Sequence, residues 1–294
     1  MAMEIEKATT CPNCGARLTG PYCGRCGQRQ VDLDRPFRDL IREGLSAFFA
    51  FDTRLLRSLW PLVARPGFLT GEFLAGRRAR YVQPFKLYFA LSVVFFLALS
   101  WSGYQVVRLN AEGLVTITTN DENATPPGTG EQPAAADPAA LDRDRDSPVL
   151  SRLLSPLIEL AENDPDELSR IFTDRLAKLA IILVPVFAAL LQLAYWQPRY
   201  LAHLVFSLHL HSFAFLAIVV GIGFDLLSGA VEGEGPGGAV ASAVIFVYAF
   251  LALRRVYAGG GWATVLKLLM LLFGYVVALV VTMILTLAAT AAFL

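Results

Sequence analysis

The chain has 294 residues, 55% of them apolar and 17% charged, with 25 Lys+Arg balanced by 25 Asp+Glu. A soluble globular chain would carry about 25% charged residues, and the shortfall here falls in long uncharged runs after residue 85. That pattern excludes a wholly water-soluble globular protein and points to membrane segments joined by wet loops. The zero net charge hides a polarity: residues 1–84 hold thirteen Lys/Arg and eight Asp/Glu, whereas residues 104–175 hold six and fourteen.

The N-terminus reads MAMEIEKATT, with no basic stretch followed by an apolar one, so no cleaved signal peptide is expected. All four cysteines then fall within sixteen positions, as Cys11-Pro-Asn-Cys14-Gly and Cys23-Gly-Arg-Cys26-Gly. Each C-x-x-C step can turn two thiolates onto one metal, and Gly15 and Gly27 let the backbone curl with its amides toward sulfur. Two matched knuckles make a four-thiolate set, the donor chemistry of structural Zn2+. Two disulfides would need an oxidising compartment, and a redox C-x-x-C would not need a second, matched knuckle. Residues 1–30 are therefore expected to form a zinc ribbon too small to fold without metal, with ligands Cys11, Cys14, Cys23 and Cys26. Four thiolates leave no open coordination position, so no catalysis is expected there.

Residues 31–84 form a basic juxtamembrane stretch. Phe37, Leu40, Ile41, Leu45, Phe48 and Phe49 recur at helical spacing after Pro36, with Asp34 placed to cap the helix. A second helical run carries Leu55, Leu56, Leu59 and Leu62 on one side, with Arg54 and Arg57 beside it. A third piece, 66–75, leads into Gly76-Arg77-Arg78-Ala79-Arg80-Tyr81. Such helices can lie on an anionic membrane surface, with Arg77, Arg78 and Arg80 as the contact, or pack on the chain's own membrane domain. Nucleic-acid binding is disfavoured, because the arginines abut a membrane segment, where positive charge is expected anyway.

Residues 85–294 are expected to form the membrane domain. Five stretches are apolar enough to span roughly 30 Å of hydrocarbon: 85–103, 176–196, 204–227, 239–253 and 266–289. Trp101, Tyr104, Trp196, Tyr200, Tyr257 and Trp262 fall near their ends, as an aromatic belt would. Between the first two lies the acidic segment 104–175. Its middle, 120–148, is too rich in Pro, Ala, Gly, Asp and Thr to bury a core, and disorder is expected there. A short interfacial helix is expected at 150–160, and Asp164-Pro165-Asp166-Glu167 opens a helix that can run on into the second span. Basic residues gather in alternate connections: Arg77, Arg78, Arg80 and Lys86, then Arg199, then Arg254, Arg255 and Lys267. The positive side faces the cytoplasm, which places the N-terminus and ribbon inside and the C-terminus outside.

The three histidines, His203, His209 and His211, lie in or beside the third span. At roughly 100° per residue His203 and His211 are about 80° apart, whereas His209 and His211 point to nearly opposite sides. They form a candidate buried polar site, read either as a metal, haem or proton-relay set or as hydrogen bonds to neighbouring helices. Pro185 predicts a kink in the second span, and Gly221 and Gly223 predict close helix packing in the third.

The ribbon ending Cys26-Gly27-Gln28, the step Gly76-Arg77-Arg78-Ala79-Arg80-Tyr81-Val82-Gln83-Pro84 and the run Ala202-His203-Leu204-Val205-Phe206-Ser207-Leu208-His209 resemble an uncharacterised bacterial membrane family with an N-terminal zinc ribbon. The resemblance implies a multi-pass protein of the bacterial inner membrane and no particular activity. It also implies Glu before His203, where this chain has Ala202.

The expected fold class is thus an all-α multi-pass membrane protein of about five transmembrane helices with a small N-terminal zinc ribbon. No catalytic set stands out. The leading expectation is a non-enzymatic scaffold in the lipid bilayer that docks a cytoplasmic protein partner. The alternatives are a small transporter or channel, and a membrane metalloenzyme using the histidines of the third span.

Overall fold

A computed structural model describes residues 10–29, 54–102, 165–197, 199–229 and 235–291, together with a pair of two-residue strands. The helices expected at 36–49 and 150–160 and the segment 120–148 lie outside the described residues.

Seven helices carry the described fold. They are α1 (Arg54–Ala64), α2 (Phe68–Leu74), α3 (Pro84–Ser102), α4 (Pro165–Ala194), α5 (Tyr200–Leu227), α6 (Gly237–Tyr257) and α7 (Gly261–Ala291). Between α3 and α4, β1 (Arg108–Leu109) pairs antiparallel with β2 (Val115–Thr116). Four helices are long and apolar enough to cross a membrane: α3, α5, α6 and α7 as far as Thr282. The fifth expected span sits on α4. This helix runs unbroken from Pro165, as the Asp164-Pro165 start predicts, and its apolar part is the shorter stretch Ala180–Ala194.

α5 is the most buried span and packs against α3, α4 and α6. The reason is in its sequence. Ser207, Ser212 and the histidines would be costly against lipid, so their faces turn to other helices. α7 is the opposite case. Trp262, Leu266, Leu269, Phe273 and Val276 stay exposed along it, an apolar perimeter that suits hydrocarbon and would not suit water.

Polar hydrogens cluster around Pro185, whose ring removes one N–H from the ladder of α4. Tyr88 donates to the Ala180 carbonyl at 3.0 Å, Ser207 to Val184 at 2.8 Å and Tyr200 to Pro185 at 3.1 Å. Side chains of α3 and α5 thus bond to carbonyls of α4 around Pro185, within a helix that continues through it. Trp101, Trp196 and Trp262 lie exposed at helix ends. Tyr257 departs from the expected belt: it turns inward and stacks on Tyr195, with ring centroids 4.1 Å apart.

The juxtamembrane helices turn their inner faces to the spans. Leu62 of α1 and Leu69 of α2 are buried in the same core as Leu87, Phe206, Phe213, Ala252 and Leu253 of the spans. Tyr248 of α6 donates to the Leu62 carbonyl at 2.8 Å, and Arg255 donates to the Pro66 carbonyl at 3.3 Å. The turn between α1 and α2 rests on Gly67, at φ 72°, where a Cβ would stand 2.9 Å from the Ala252 carbonyl oxygen. The inner faces of α1 and α2 therefore pack on the chain's own membrane domain. One expected residue leaves the inner face: Leu56 is exposed, while Leu55, Leu59 and Leu62 pack inward.

Of the two glycines expected to bring helices together, only one does. A Cβ on Gly221 would lie 2.7 Å from the Gly237 carbonyl oxygen, whereas one on Gly223 would meet nothing within 4 Å. At the same crossing Asp225 accepts a hydrogen bond from the Gly237 amide at 2.7 Å, which fastens the start of α6 to the end of α5. Gly221→Ala should therefore cost about 1–3 kcal/mol through overpacking. Gly223→Ala should cost nothing. Thermal melting of the two variants in detergent should show a lowered midpoint for the first alone.

Candidate metal centre and buried histidines

The two cysteine knuckles are near copies of each other. In the first, Cys11 N–H bonds the Ala16 carbonyl and Gly15 N–H bonds the Cys11 carbonyl, both at 2.8 Å. In the second, Cys23 N–H bonds the Gln28 carbonyl at 2.9 Å and Gly27 N–H bonds the Cys23 carbonyl at 2.8 Å. Gly15 and Gly27 close the turns at φ 73° and 69°, the left-handed conformation for which glycine was expected there. Short antiparallel bridges, Thr10 with Arg17 and Tyr22 with Arg29, flank the two turns.

This folding brings the four sulfurs together across the knuckles. Cys11 and Cys26 stand 3.6 Å apart, Cys14 and Cys23 stand 3.5 Å apart, and all four sulfurs lie within 4.8 Å of one another. A tetrahedral ion with metal–sulfur bonds of about 2.3 Å has sulfur–sulfur edges of about 3.8 Å, so the set has the size of a metal site. The thiols are free, so no disulfide competes for them. Backbone amides favour the thiolate form. The Gln28 N–H brings Cys26 down to about 6, and the N–H groups of Cys26 and Arg25 lower Cys23; at Cys14 the Ala16 N–H acts the same way, but burial and the neighbouring thiols together push that thiol up to about 12. Cys11 and Cys23 are buried, and Cys14 and Cys26 are partly covered. The donors fit one metal ion held by four sulfurs.

The residue after the second knuckle fastens the ribbon to the rest of the chain. Gln28 donates to the Gly76 carbonyl at 2.7 Å, and its side-chain oxygen accepts from the amides of Arg78 at 3.0 Å and Ala79 at 3.1 Å. Pro12 of the first knuckle covers Gly76, where a Cβ would stand 3.1 Å from its ring. Both knuckles thus hold the strap between α2 and α3. The three arginines of that strap diverge. Arg77 makes a two-pronged ion pair with Glu72, whose carboxyl it holds below the usual range. Arg78 lies over the Phe73 ring, 4.2 Å from its centroid, and donates to the Phe73 carbonyl. Arg80 points into a surface cleft beside α1.

The histidines of α5 do not converge; each bonds a different helix. His203 shares a hydrogen bond of 2.7 Å with the Tyr257 hydroxyl of α6 and stacks on that ring. His209 bonds the Thr70 hydroxyl of α2 at 2.9 Å. His211 donates from Nδ1 to the Ser207 carbonyl at 2.8 Å, which leaves Nε2 to accept from the Tyr275 hydroxyl of α7 at 2.9 Å. Each of the three rings thus has a hydrogen-bond partner on a neighbouring helix. Among the described residues, the cysteines form the one group of three or more possible metal ligands. Lys267 extends the first pair into a column, with its ammonium 3.9 Å from the Tyr195 ring centroid and Tyr195 stacked on Tyr257.

Residues 52–96 match the family model described as Protein of unknown function (DUF3667). The match covers α1, α2, the strap with its three arginines and most of α3, and leaves out the ribbon and the histidines of α5. No curated protein and no solved structure matches the chain.

Two partners stayed hidden in the sequence. Gln28 stands beside the ribbon motif, but its target lies 48 residues away. Thr70 pairs with His209 across 139 residues, with no local pattern to mark either. Thr70→Val leaves His209 buried without its partner and should cost about 1–3 kcal/mol, while Thr70→Val/His209→Leu should recover part of that loss. Thermal melting of the two variants in detergent checks the sign. Gln28→Ala should leave the metal content intact and speed hydrogen exchange at the Arg78 and Ala79 amides by about tenfold, the loss of one to two modest hydrogen bonds.

Proposed function

We propose that this chain is a non-enzymatic integral membrane protein that presents a structural zinc ribbon, seated rigidly on its membrane domain, to a cytoplasmic protein partner. The observation that carries this reading is the Gln28 clamp. A ribbon that served only to close itself would not need three hydrogen bonds to the strap entering α3. Zinc is the metal the donor set favours, because four thiolates suit a soft, tetrahedral, redox-inactive ion. Four thiolates also fill its coordination, so the ribbon has no place for a substrate.

The orientation rests on charge. Tyr195 stacks on Tyr257 and Arg255 reaches Pro66, which supports grouping the three basic connections at one end of the bundle. By the positive-inside rule that end is cytoplasmic, where thiols stay reduced and able to bind metal. With the apolar half of α4 counted as a fifth span, the N-terminus is cytoplasmic and the C-terminus extracytoplasmic. The bacterial inner membrane is the location that the family resemblance implies. On the ribbon, Tyr22 is 58% exposed and is the aromatic group best placed to meet a partner.

Two measurements test the proposal. Elemental analysis of detergent-purified protein should give one zinc per chain, lost in Cys23→Ser/Cys26→Ser. A photo-crosslinking residue at position 22 in native membranes should give a discrete protein adduct that the cysteine variant abolishes. Zinc without any such adduct would leave the ribbon structural and remove the docking role.

A further inference from the structure

α1 has three faces, and only one belongs to the core. Leu55, Ser58, Leu59 and Leu62 turn inward. Leu56, Trp60 and Val63, spaced as i, i+4 and i+7, remain 73%, 72% and 47% exposed. The third carries Arg57 and the buried Pro61 and is continued by Arg65 just past the helix end; with Trp60, Arg80 and Tyr81 these residues line an open cleft of about 470 Å³. Trp60 belongs to both outer faces and stands between the apolar stripe and the cleft.

Three arginines line this cleft, the guanidinium of Arg65 lying 5.5 Å from the Phe68 ring centroid at its edge, and no described carboxylate lies within ion-pair distance of them. Glu72, whose ionisation Arg80 favours, is already held by Arg77. Arginine forks match the oxygens of a phosphate, and the aromatic walls suit a group that is polar at one end and apolar at the other. The cleft also has a defined level. Tyr81 lies three residues before the start of α3, where the chain enters its first span, and Arg65 lies next to Pro66, which Arg255 at the end of α6 contacts.

We infer that this cleft binds the phosphate headgroup of an anionic phospholipid, with the acyl chains lying along Leu56, Trp60 and Val63. The contiguous apolar stripe selects a lipid over a soluble anion. A free phosphate would satisfy the arginines and leave three large apolar side chains in water, whereas a phospholipid covers both at once. Trp60 at the junction takes the usual place of tryptophan at a membrane interface. The site does not depend on zinc in the ribbon or on a protein partner for it.

Native mass spectrometry of the full chain in detergent, titrated with phosphatidylglycerol or phosphatidylcholine, tests the inference. Wild-type protein should retain one phosphatidylglycerol under activation that strips phosphatidylcholine. Arg57→Gln/Arg65→Gln/Arg80→Gln should reduce that retention at least tenfold, while Arg17→Gln/Arg25→Gln on the ribbon should leave it unchanged. All three cleft arginines are exposed, so the variant should melt with the wild type; if it melts early, Arg80→Gln alone is read the same way. Equal retention of the two lipids, or equal retention by the cleft variants and wild type, would overturn the inference. So would displacement of phosphatidylglycerol by millimolar inorganic phosphate, which would mark a site for soluble anions.

Discussion

In a helix surrounded by lipid, a polar side chain has no water to meet and must be answered by another protein group. α5 carries three histidines, two buried serines and a buried aspartate, and the placing of its neighbours follows from answering them. His203 draws in Tyr257 of α6, His209 draws in Thr70 of α2, His211 draws in Tyr275 of α7 and Ser207 bonds the backbone of α4. Asp225 fixes the start of α6. Each bond is modest by itself, but leaving any one unmade would strand a desolvated polar atom. The apolar surfaces between these points then fill by packing. Helix contact in a membrane gains little from the hydrophobic effect, so polar bonds and close approach at small residues set the arrangement.

The same constraint explains why the juxtamembrane helices are part of the membrane domain. His209 lies nine residues into α5, about 14 Å along its axis, so Thr70 must be carried well past the helix end to reach it. The turn at Gly67 allows this by lying directly on the α6 backbone. Beyond Thr70 the chain leaves α2 through the strap that Gln28 clamps. A continuous path of hydrogen bonds and short covalent links therefore joins the cysteine cluster to the centre of α5. The cysteine ribbon is clamped to the strap that follows the helix bonded to the buried His209.

α1 shows how one helix can carry three unlike faces. Its inner face is core, its outer face is apolar and exposed, and its third face is cationic. Counting periodicity alone places Leu56 with Leu55 and Leu59, because all are leucines within one turn. Packing separates them, because the core of α5 and α6 covers only one arc of the helix. The arc with Leu56, Trp60 and Val63 is left uncovered, with the cleft arginines beside it.

What could be read from the sequence was what depends on neighbours in the chain. The four-cysteine set follows from two C-x-x-C turns and two glycines, all within sixteen positions, so local geometry nearly fixes it. The apolar spans follow from the thickness of hydrocarbon, and the start of α4 follows from Asp164-Pro165. The tertiary structure alone decided which polar groups meet. Thr70 with His209, Tyr275 with His211 and Gln28 with the strap are separated by 139, 64 and 48 to 51 residues. Nothing in a single sequence couples such positions. The histidines looked like a set because they are close along the chain, but a helix turns about 100° per residue and sends each toward a different neighbour. The cleft of α1 was hidden for the same reason: Arg57, Arg65 and Arg80 converge only when α1 folds back against the strap.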